Sequence, residues 1–369
     1  MRATPPPRPC LGGTGYNSPG LGCCPRERTV WVRRPLRTRS LLLGSLLLLL
    51  SLVLATATVW GYVGGVDPLA LATGRRPATP TADIATPTPT PVLPTPTPTP
   101  TPPVAAIPPD LPLSARAAIL VQDEPELVLF ERNADEPLPP ASTAKIVTAL
   151  TVLRHAGLEE VLTVQEEDLV DPVAESHMGL QAGDTVTVHD LLVGLLLPSG
   201  NDAAKTLSRV IGERLPGDQP PVERFVAAMN AVAADLGMTG SHFIEPSGDD
   251  AEGQVVTARD MVIAARALLR EPVLVSIVAM PRAEVRVGGP KARVIRLENT
   301  NQLLAQDGVF GIKTGTTEQA GQCLVVAYRA PSGVQIAVIL GSQDRYADAR
   351  ALLGLPEPPP PTPTPEPTA

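Results

Sequence analysis

The sequence predicts an α+β fold, a mostly antiparallel sheet with a helical insertion. Two observations predict it. Over residues 111–353, apolar periodicity passes from strands, through a long series of helices, back to strands. The same stretch contains 15 of the chain's 44 prolines. The other 29 fall in residues 1–110 and 354–369. Of the 369 residues, this stretch alone therefore has the composition of a packed domain.

The elements follow in order. Ala117–Gln122 and Glu126–Glu131 read as strands around Asp123-Glu124-Pro125, the turn of a hairpin. Ser142–Arg154 is helical, with Ile146, Leu150 and Leu153 along one stripe. Further helices are predicted over His189–Leu197, Asn201–Gly212, Val222–Leu236 and Thr257–Leu269. Glu284–Val287 and Arg293–Leu297 flank Gly288-Gly289-Pro290 as a second hairpin. Val309–Thr314, Gln322–Tyr328 and Val334–Leu340 are strands, and Ala347–Leu353 is a closing helix.

The flanks are of another kind. Residues 1–40 hold eight arginines and one acid, Glu27. Residues 41–63 carry no charge, and a helix of that length rises about 34 Å, enough for a bilayer core of ~30 Å. Trp60 and Tyr62 sit at its far end, where amphipathic rings favour the interface. Arginine before the span places the N-terminus inside, so the sequence predicts a single-pass cell-membrane protein with its domain outside. A signal peptide cleaved after Ala55-Thr56-Ala57 is the competing reading, and both export the remainder. Residues 64–109 form a Pro/Thr-rich linker of extended polyproline type, and residues 356–369 repeat that composition as a tail. The predicted organisation is a basic segment 1–40, a membrane helix 41–63, the linker, a catalytic domain 110–355 and the tail.

Composition removes several function classes. Net charge is −8 and residues 111–353 hold no block of like charge, which argues against nucleic acid as a partner, since such domains are usually basic with a clustered patch. Four scattered cysteines make neither a disulfide scaffold nor a cysteine zinc site. There is no G-x-S-x-G elbow, no H-E-x-x-H and no glycine-rich phosphate loop. The four histidines, His155, His177, His189 and His242, lack ligand spacing. No metal or organic cofactor is expected.

The lysines are more informative. Against 26 arginines there are only four, Lys145, Lys205, Lys291 and Lys313. Lysine can lose its proton when desolvated, which arginine effectively cannot. In Pro140-Ala141-Ser142-Thr143-Ala144-Lys145, a helix starting near Ser142 sets the hydroxyl and the amine on one face, three residues apart. Its N-terminus offers free N–H groups to an oxyanion. A nucleophile, a base and part of an oxyanion hole thus fit in four residues. Leu197-Pro198-Ser199-Gly200-Asn201-Asp202 lies between two helices, and Gly311-Ile312-Lys313-Thr314-Gly315-Thr316 lies on a strand. Each alone is as well explained by a cap or a turn.

Together and in order, the three are similar to the S-x-x-K, S-x-N and K-T-G motifs of penicillin-binding proteins and serine β-lactamases. Ser142 to Ser199 is 57 residues, and Ser199 to Lys313 is 114. Within that superfamily the chain resembles the low-molecular-mass D-alanyl-D-alanine carboxypeptidases. The likeness runs from about Leu113 to Leu353 through PASTAKIVTAL, HMGLQAGDTVTVHDLLVGLLLPSGNDAA, MNAVAADLGM, NTNQLL and GIKTGTTEQAGQCL.

The resemblance implies a β-lactamase/transpeptidase-like fold, with a five-stranded antiparallel sheet flanked by helices and an inserted all-helical subdomain. It implies Ser142 as nucleophile, Lys145 as its base and Ser199 as proton relay to the leaving D-alanine. Asn201 would hold the peptide amide and orient Lys145. Lys313 and Thr314 would bind the terminal carboxylate, and Gly315 would let the substrate backbone approach. The N–H groups of Ser142 and Thr316 would form the oxyanion hole. Arg345 is a weaker carboxylate candidate, read first as a surface residue, and Cys323 is read as a core thiol. The implied reaction removes the terminal D-alanine of peptidoglycan stem peptides through a penicillin-sensitive acyl-enzyme, by a monomer. Alternatives are a DD-endopeptidase or a non-catalytic wall-binding or β-lactam-sensing protein. A β-lactamase is disfavoured, since no E-x-x-L-N string lies between Asn201 and Lys313. The chain departs from the family where N-P-x-G-L is usual: it reads Glu245-Pro246-Ser247-Gly248-Asp249. The family's C-terminal β-domain has no counterpart in the residues present.

Overall fold

A computed structural model describes residues 107–357. The basic lead, the predicted membrane helix, the linker up to residue 106 and the tail from residue 358 lie outside the described residues. Among the described residues no helix is long and apolar enough to cross a membrane.

The elements are β1 (Ala117–Gln122), β2 (Leu127–Arg132), α1 (Lys145–His155), β3 (Val161–Thr163), β4 (Thr185–Thr187), α2 (Val188–Leu196), α3 (Asn201–Arg214), α4 (Pro221–Leu236), α5 (Ala258–Leu269), α6 (Pro272–Val278), β5 (Arg282–Val287), β6 (Arg293–Glu298), β7 (Val309–Thr317), β8 (Gly321–Ala330), β9 (Gly333–Ser342) and α7 (Arg345–Leu353). Five strands form one sheet in the order β2-β1-β9-β8-β7, every neighbour antiparallel. β1 and β9 join the two ends of the domain, with Ala117 opposite Leu340 and Gln122 opposite Gln335. This is the predicted α+β architecture: strands from both ends close one sheet, and the helices fill the insertion.

Strand alternation explains the layers. Ile119, Val121, Val325, Ala327, Ile336 and Val338 face the helical insertion. Leu120, Leu324, Val326, Ala337 and Ile339 face the opposite side, where Leu352 and Leu353 of α7 cover them. Both faces are dry, so β8 and β9 read as nearly continuous apolar runs rather than alternating ones.

Three local differences from the sequence reading have physical causes. The helix predicted from Ser142 begins as a 3-10 turn, Ala141–Ala144, and becomes α-helical only at Lys145. Ala141 has φ +47°, a left-handed geometry incompatible with a helical first turn. α1 also buries more than a stripe: every residue from Lys145 to Val152 is buried, because α3, α4 and α5 surround it. Its threonines are satisfied internally. Thr151 Oγ1 donates to the Val147 carbonyl at 2.8 Å and Thr148 Oγ1 to the Pro246 carbonyl at 2.6 Å. Finally, the insertion is not wholly helical. Besides the expected β5–β6 hairpin it carries the β3–β4 ribbon, three residues a side and too short for periodicity to reveal.

A buried ion pair fixes α3 against that ribbon. Arg209 Nε and Nη2 donate to Asp168 Oδ1 and Oδ2 at 2.8 and 2.7 Å, and Nη2 also donates to the Thr163 carbonyl at 2.9 Å. Both side chains are 5% exposed or less. Arg209 Nη1 also pairs with Glu213 at 3.0 Å, so removing Asp168 leaves the guanidinium partly compensated and costs less than the ~3–5 kcal/mol of a fully orphaned buried charge. We expect Asp168→Ala to lower the unfolding free energy by about 1–3 kcal/mol, read as a lower denaturant midpoint at an unchanged m-value. Arg154→Ala, which breaks the exposed pair with Asp235, should cost under about 1 kcal/mol.

Candidate active site

Three elements converge on one amine. Ser142 lies in the turn before α1 and Lys145 is the first residue of that helix. Lys145 Nζ stands 2.9 Å from Ser142 Oγ. It also stands 2.7 Å from Asn201 Oδ1, on the first turn of α3, and 2.5 Å from the Ser247 carbonyl. An ammonium has three donors, and here each has one oxygen.

The turn Leu197–Gly200 connects α2 to α3. Ser199 has φ +67° and is 5% exposed, and its Oγ has no hydrogen-bond partner among the described residues. Next to it, Asp202 accepts from the backbone N–H groups of Met178, Gly179 and Leu180 at 2.9–3.0 Å. That clamp holds the segment carrying Ser176 against the start of α3.

The third side is β7. Lys313 is buried, and its Nζ donates to the Thr314 carbonyl at 2.9 Å. Thr314 Oγ1 lies 2.6 Å from Thr300 Oγ1. Gly315 is required for close approach: a Cβ there would fall 2.7 Å from the Ser142 nitrogen and 2.9 Å from the Ala141 Cβ. The structure thus gives Gly315 a partner the sequence reading did not name, the nucleophile turn itself. A second close approach presses on that turn from the opposite loop. Gly248, at φ +90°, leaves no room for a methyl against the Ala141 carbonyl.

Above these groups is a cavity of about 560 Å³ whose lining includes Ser142, Ser199, Thr314, Gly315, Thr316 and Arg345. Lys145, Asn201 and Lys313 form the buried layer below. Every site residue proposed from the sequence is therefore in this one region. Arg345 is not the surface residue first expected. It is half-buried, and its guanidinium donates to the Gly315 carbonyl at 2.6 Å, the Cys323 carbonyl at 3.0 Å and the Thr316 hydroxyl. Two α7 features put it there: the Asp344 cap and the short β9-to-α7 connection, neither of which a periodicity scan registers.

The electrostatics are asymmetric. Burial lowers the Lys145 pKa to about 8, against an opposing pull from Asp249, Glu245, Asp202 and Glu175. Burial also pushes Lys313 well below the ordinary lysine value, and the neighbouring cations Lys145 and Arg345 push it further. Cys323 is a core thiol raised by burial to about 11, too high for a nucleophile. Among the described residues no group of three His, Cys, Asp or Glu side chains is arranged to hold a metal. Glu175 and Asp249, which both reach Asn201, were not among the sequence candidates. They come from loops 26 and 48 residues from Asn201, and nothing local marks them.

A family model described as D-alanyl-D-alanine carboxypeptidase matches residues 103–344. A D-alanyl-D-alanine carboxypeptidase of Mycobacterium tuberculosis, DacB2, is 35% identical over 245 residues, covering 65% of this chain and 79% of that one. The D-alanyl-D-alanine carboxypeptidase DacF of Bacillus subtilis is 30% identical over 237 residues, which is 63% of this chain and 59% of that one. The chain thus spans about three fifths of the Bacillus relative. The crystal structure of the Streptomyces K15 DD-transpeptidase superposes with TM-score 0.61 at 29% identity, covering 66% of this chain and 97% of that one.

The lowered Lys145 pKa has a consequence for stability. Between pH 8 and the ordinary lysine value of 10.5 the folded amine is neutral while the unfolded one still binds a proton. Stability then rises with pH, since the unfolded state holds more protons. Below pH 8 both states are charged and the burial penalty is fully present. Comparison of wild type with Lys145→Met by denaturant unfolding should show wild type gaining about 3 kcal/mol relative to the variant from pH 7.5 to 10.5.

Proposed function

Because the chain belongs to the D-alanyl-D-alanine carboxypeptidase family, we propose that it removes the terminal D-alanine from peptidoglycan stem peptides through an ester on Ser142. The observation that supports this most directly is the buried amine of Lys145, 2.9 Å from a hydroxyl that opens into a polar cavity.

The geometry suits each step. In its neutral form Lys145 takes the Ser142 proton as Oγ attacks the carbonyl between the two D-alanines. The backbone N–H groups of Ser142 and Thr316 would stabilise the developing oxyanion, as the family resemblance implies. Ser199, with a buried and unpartnered hydroxyl, relays a proton to the departing amine. D-alanine leaves, and water cleaves the ester to return the serine. Lys313, Thr314 and Arg345 supply two cations and a hydroxyl for the substrate carboxylate. Asn201 aligns Lys145 through the 2.7 Å contact to its Oδ1. β-Lactams, as cyclic amides bearing a carboxylate, should acylate the same serine.

The same acyl-enzyme would serve an endopeptidase, so product analysis on cross-linked muropeptides separates that activity from terminal D-alanine release. We also propose that residues 41–63 anchor the chain in the cell membrane with the domain facing the wall, the arginine-rich lead inside. The site is complete in one chain, which favours a monomer.

Purified protein should release D-alanine from a pentapeptide and be labelled covalently by penicillin. Ser142→Ala should abolish both. The acylation rate should rise with pH through about 8, as Lys145 loses its proton. Arg345→Leu should raise KM for the peptide about tenfold or more through loss of a charged contact, with little loss of label at saturating penicillin. Recovery of the full-length chain in the membrane fraction, resistant to carbonate extraction, would support the anchor; a soluble, N-terminally shortened product would overturn it.

A further inference from the structure

Asn201 sits between the base and a group of carboxylates. Its Oδ1 accepts from Lys145 Nζ at 2.7 Å. Its Nδ2 donates to Glu175 Oε2 at 3.0 Å and lies 3.3 and 3.2 Å from Asp249 Oδ1 and Oδ2. Ser247 Oγ, which carries one proton, lies 2.5 Å from Glu245 Oε2 and 2.8 Å from Asp249 Oδ2, and the Ser247 carbonyl accepts from Lys145 Nζ at 2.5 Å. The bonds close a ring: Lys145, Asn201, Asp249, Ser247 and back to Lys145. The loop bearing Asp249 is itself tied down. Gln254 Nε2 donates to the Asp249 carbonyl at 2.8 Å, and Glu245 accepts from the backbone N–H of Ser247 and of Gly248.

A side-chain amide can turn either end toward a neighbour. With Oδ1 on Lys145 it accepts from a cation and donates to carboxylates. Flipped, it would set an NH2 group against an ammonium and a carbonyl against two anions. The gap between these orientations is set by the charges at Nδ2.

We propose that Asp249 is a positioning residue for acyl transfer, its carboxylate fixing the Asn201 amide so that Oδ1 holds the Lys145 amine in register with Ser142. The proposal rests on the Ser142–Lys145 reading above. Charged groups face Lys145 from every side: Asp202 from α3, Glu175 from the segment before β4, Glu245 and Asp249 from the loop after α4, and Lys313 from β7, with Arg345 beyond it. The four carboxylates favour the charged amine and the cations oppose it. Neutralising Asp249 therefore frees the amine at lower pH, while removing its hydrogen bonds loosens the amide.

The test measures the second-order rate of labelling by a fluorescent penicillin from pH 5 to 10, for the full chain and for Asp249→Asn and Asp249→Leu, with thermal unfolding of each. Both variants should move the acid limb of the profile down by about one pH unit. Asp249→Leu should also lower the plateau about tenfold, through a displaced base, and Asp249→Asn, which can still accept from Ser247, by less. A loss uniform in pH with an unmoved limb would make Asp249 merely structural and overturn the proposal. So would a limb and plateau within twofold of wild type. Should Asp249→Leu fail to fold, the limb of Asp249→Asn decides alone. Wild-type protein that takes no label at any pH would refute the Ser142–Lys145 reading itself, a result distinct from labelling that ignores Asp249.

Discussion

The buried Lys145 amine is the constraint around which the domain is arranged. It has no contact with water, and its three nearest acceptors come from separate parts of the chain: Ser142 three residues before it, Asn201 on α3 and the Ser247 carbonyl on the loop after α4. A desolvated ammonium without partners would be strongly unfavourable, so α1, α3 and that loop cannot shift independently. Two close backbone approaches serve the same point. Gly315 brings β7 against the Ser142 turn, and Gly248 brings the loop against Ala141 from the other side. The sheet sets the position of β7, the helical insertion sets α3, and the nucleophile turn is held between them.

Charge is distributed to match. Carboxylates gather beside Lys145 on the Asn201 side, and cations gather at β7 and α7. The first group keeps a buried amine from losing its proton altogether. The second makes the other end of the cavity a place where an anion is welcome and a lone cation is not. A substrate carboxylate bound at Lys313 and Arg345 would relieve repulsion that the free protein carries, and the sign of that effect favours carboxylate-bearing ligands over neutral ones. Binding and catalysis then divide the cavity between its two ends.

Much of this was legible in the sequence, and the limits are physical. Strands β1, β7, β8 and β9 and helices α3, α4 and α5 are long and periodic, so their existence could be read, with ends that coincide or differ by at most three residues. The three motifs could be read because lysine is rare here and its two site positions keep fixed company with serine, threonine and glycine. The 3-10 start of α1 could not, because the left-handed Ala141 that imposes it is held by β7 and Gly248, both far along the chain. Arg345 looked like surface because its burial depends on the end of β7. Glu175 and Asp249 were invisible for a related reason: an acidic residue in a loop is ordinarily solvated, and only the fold brings these two to one amide.

Two non-glycine residues in left-handed geometry, Ala141 and Ser199, bear on how the site is held. Ala141 precedes Ser142 and Ser199 precedes the start of α3, at φ +47° and +67°. Such conformations cost of order 1–3 kcal/mol each and persist only where the surroundings over-determine them. Relaxing Ala141 to an ordinary helical φ would swing Ser142 into the first turn of α1 and away from β7. Relaxing Ser199 would turn its hydroxyl from the cavity, where it has no protein partner to reward it. In both places the local backbone disfavours the conformation the fold imposes. The packing of the sheet against the helices overrides that preference.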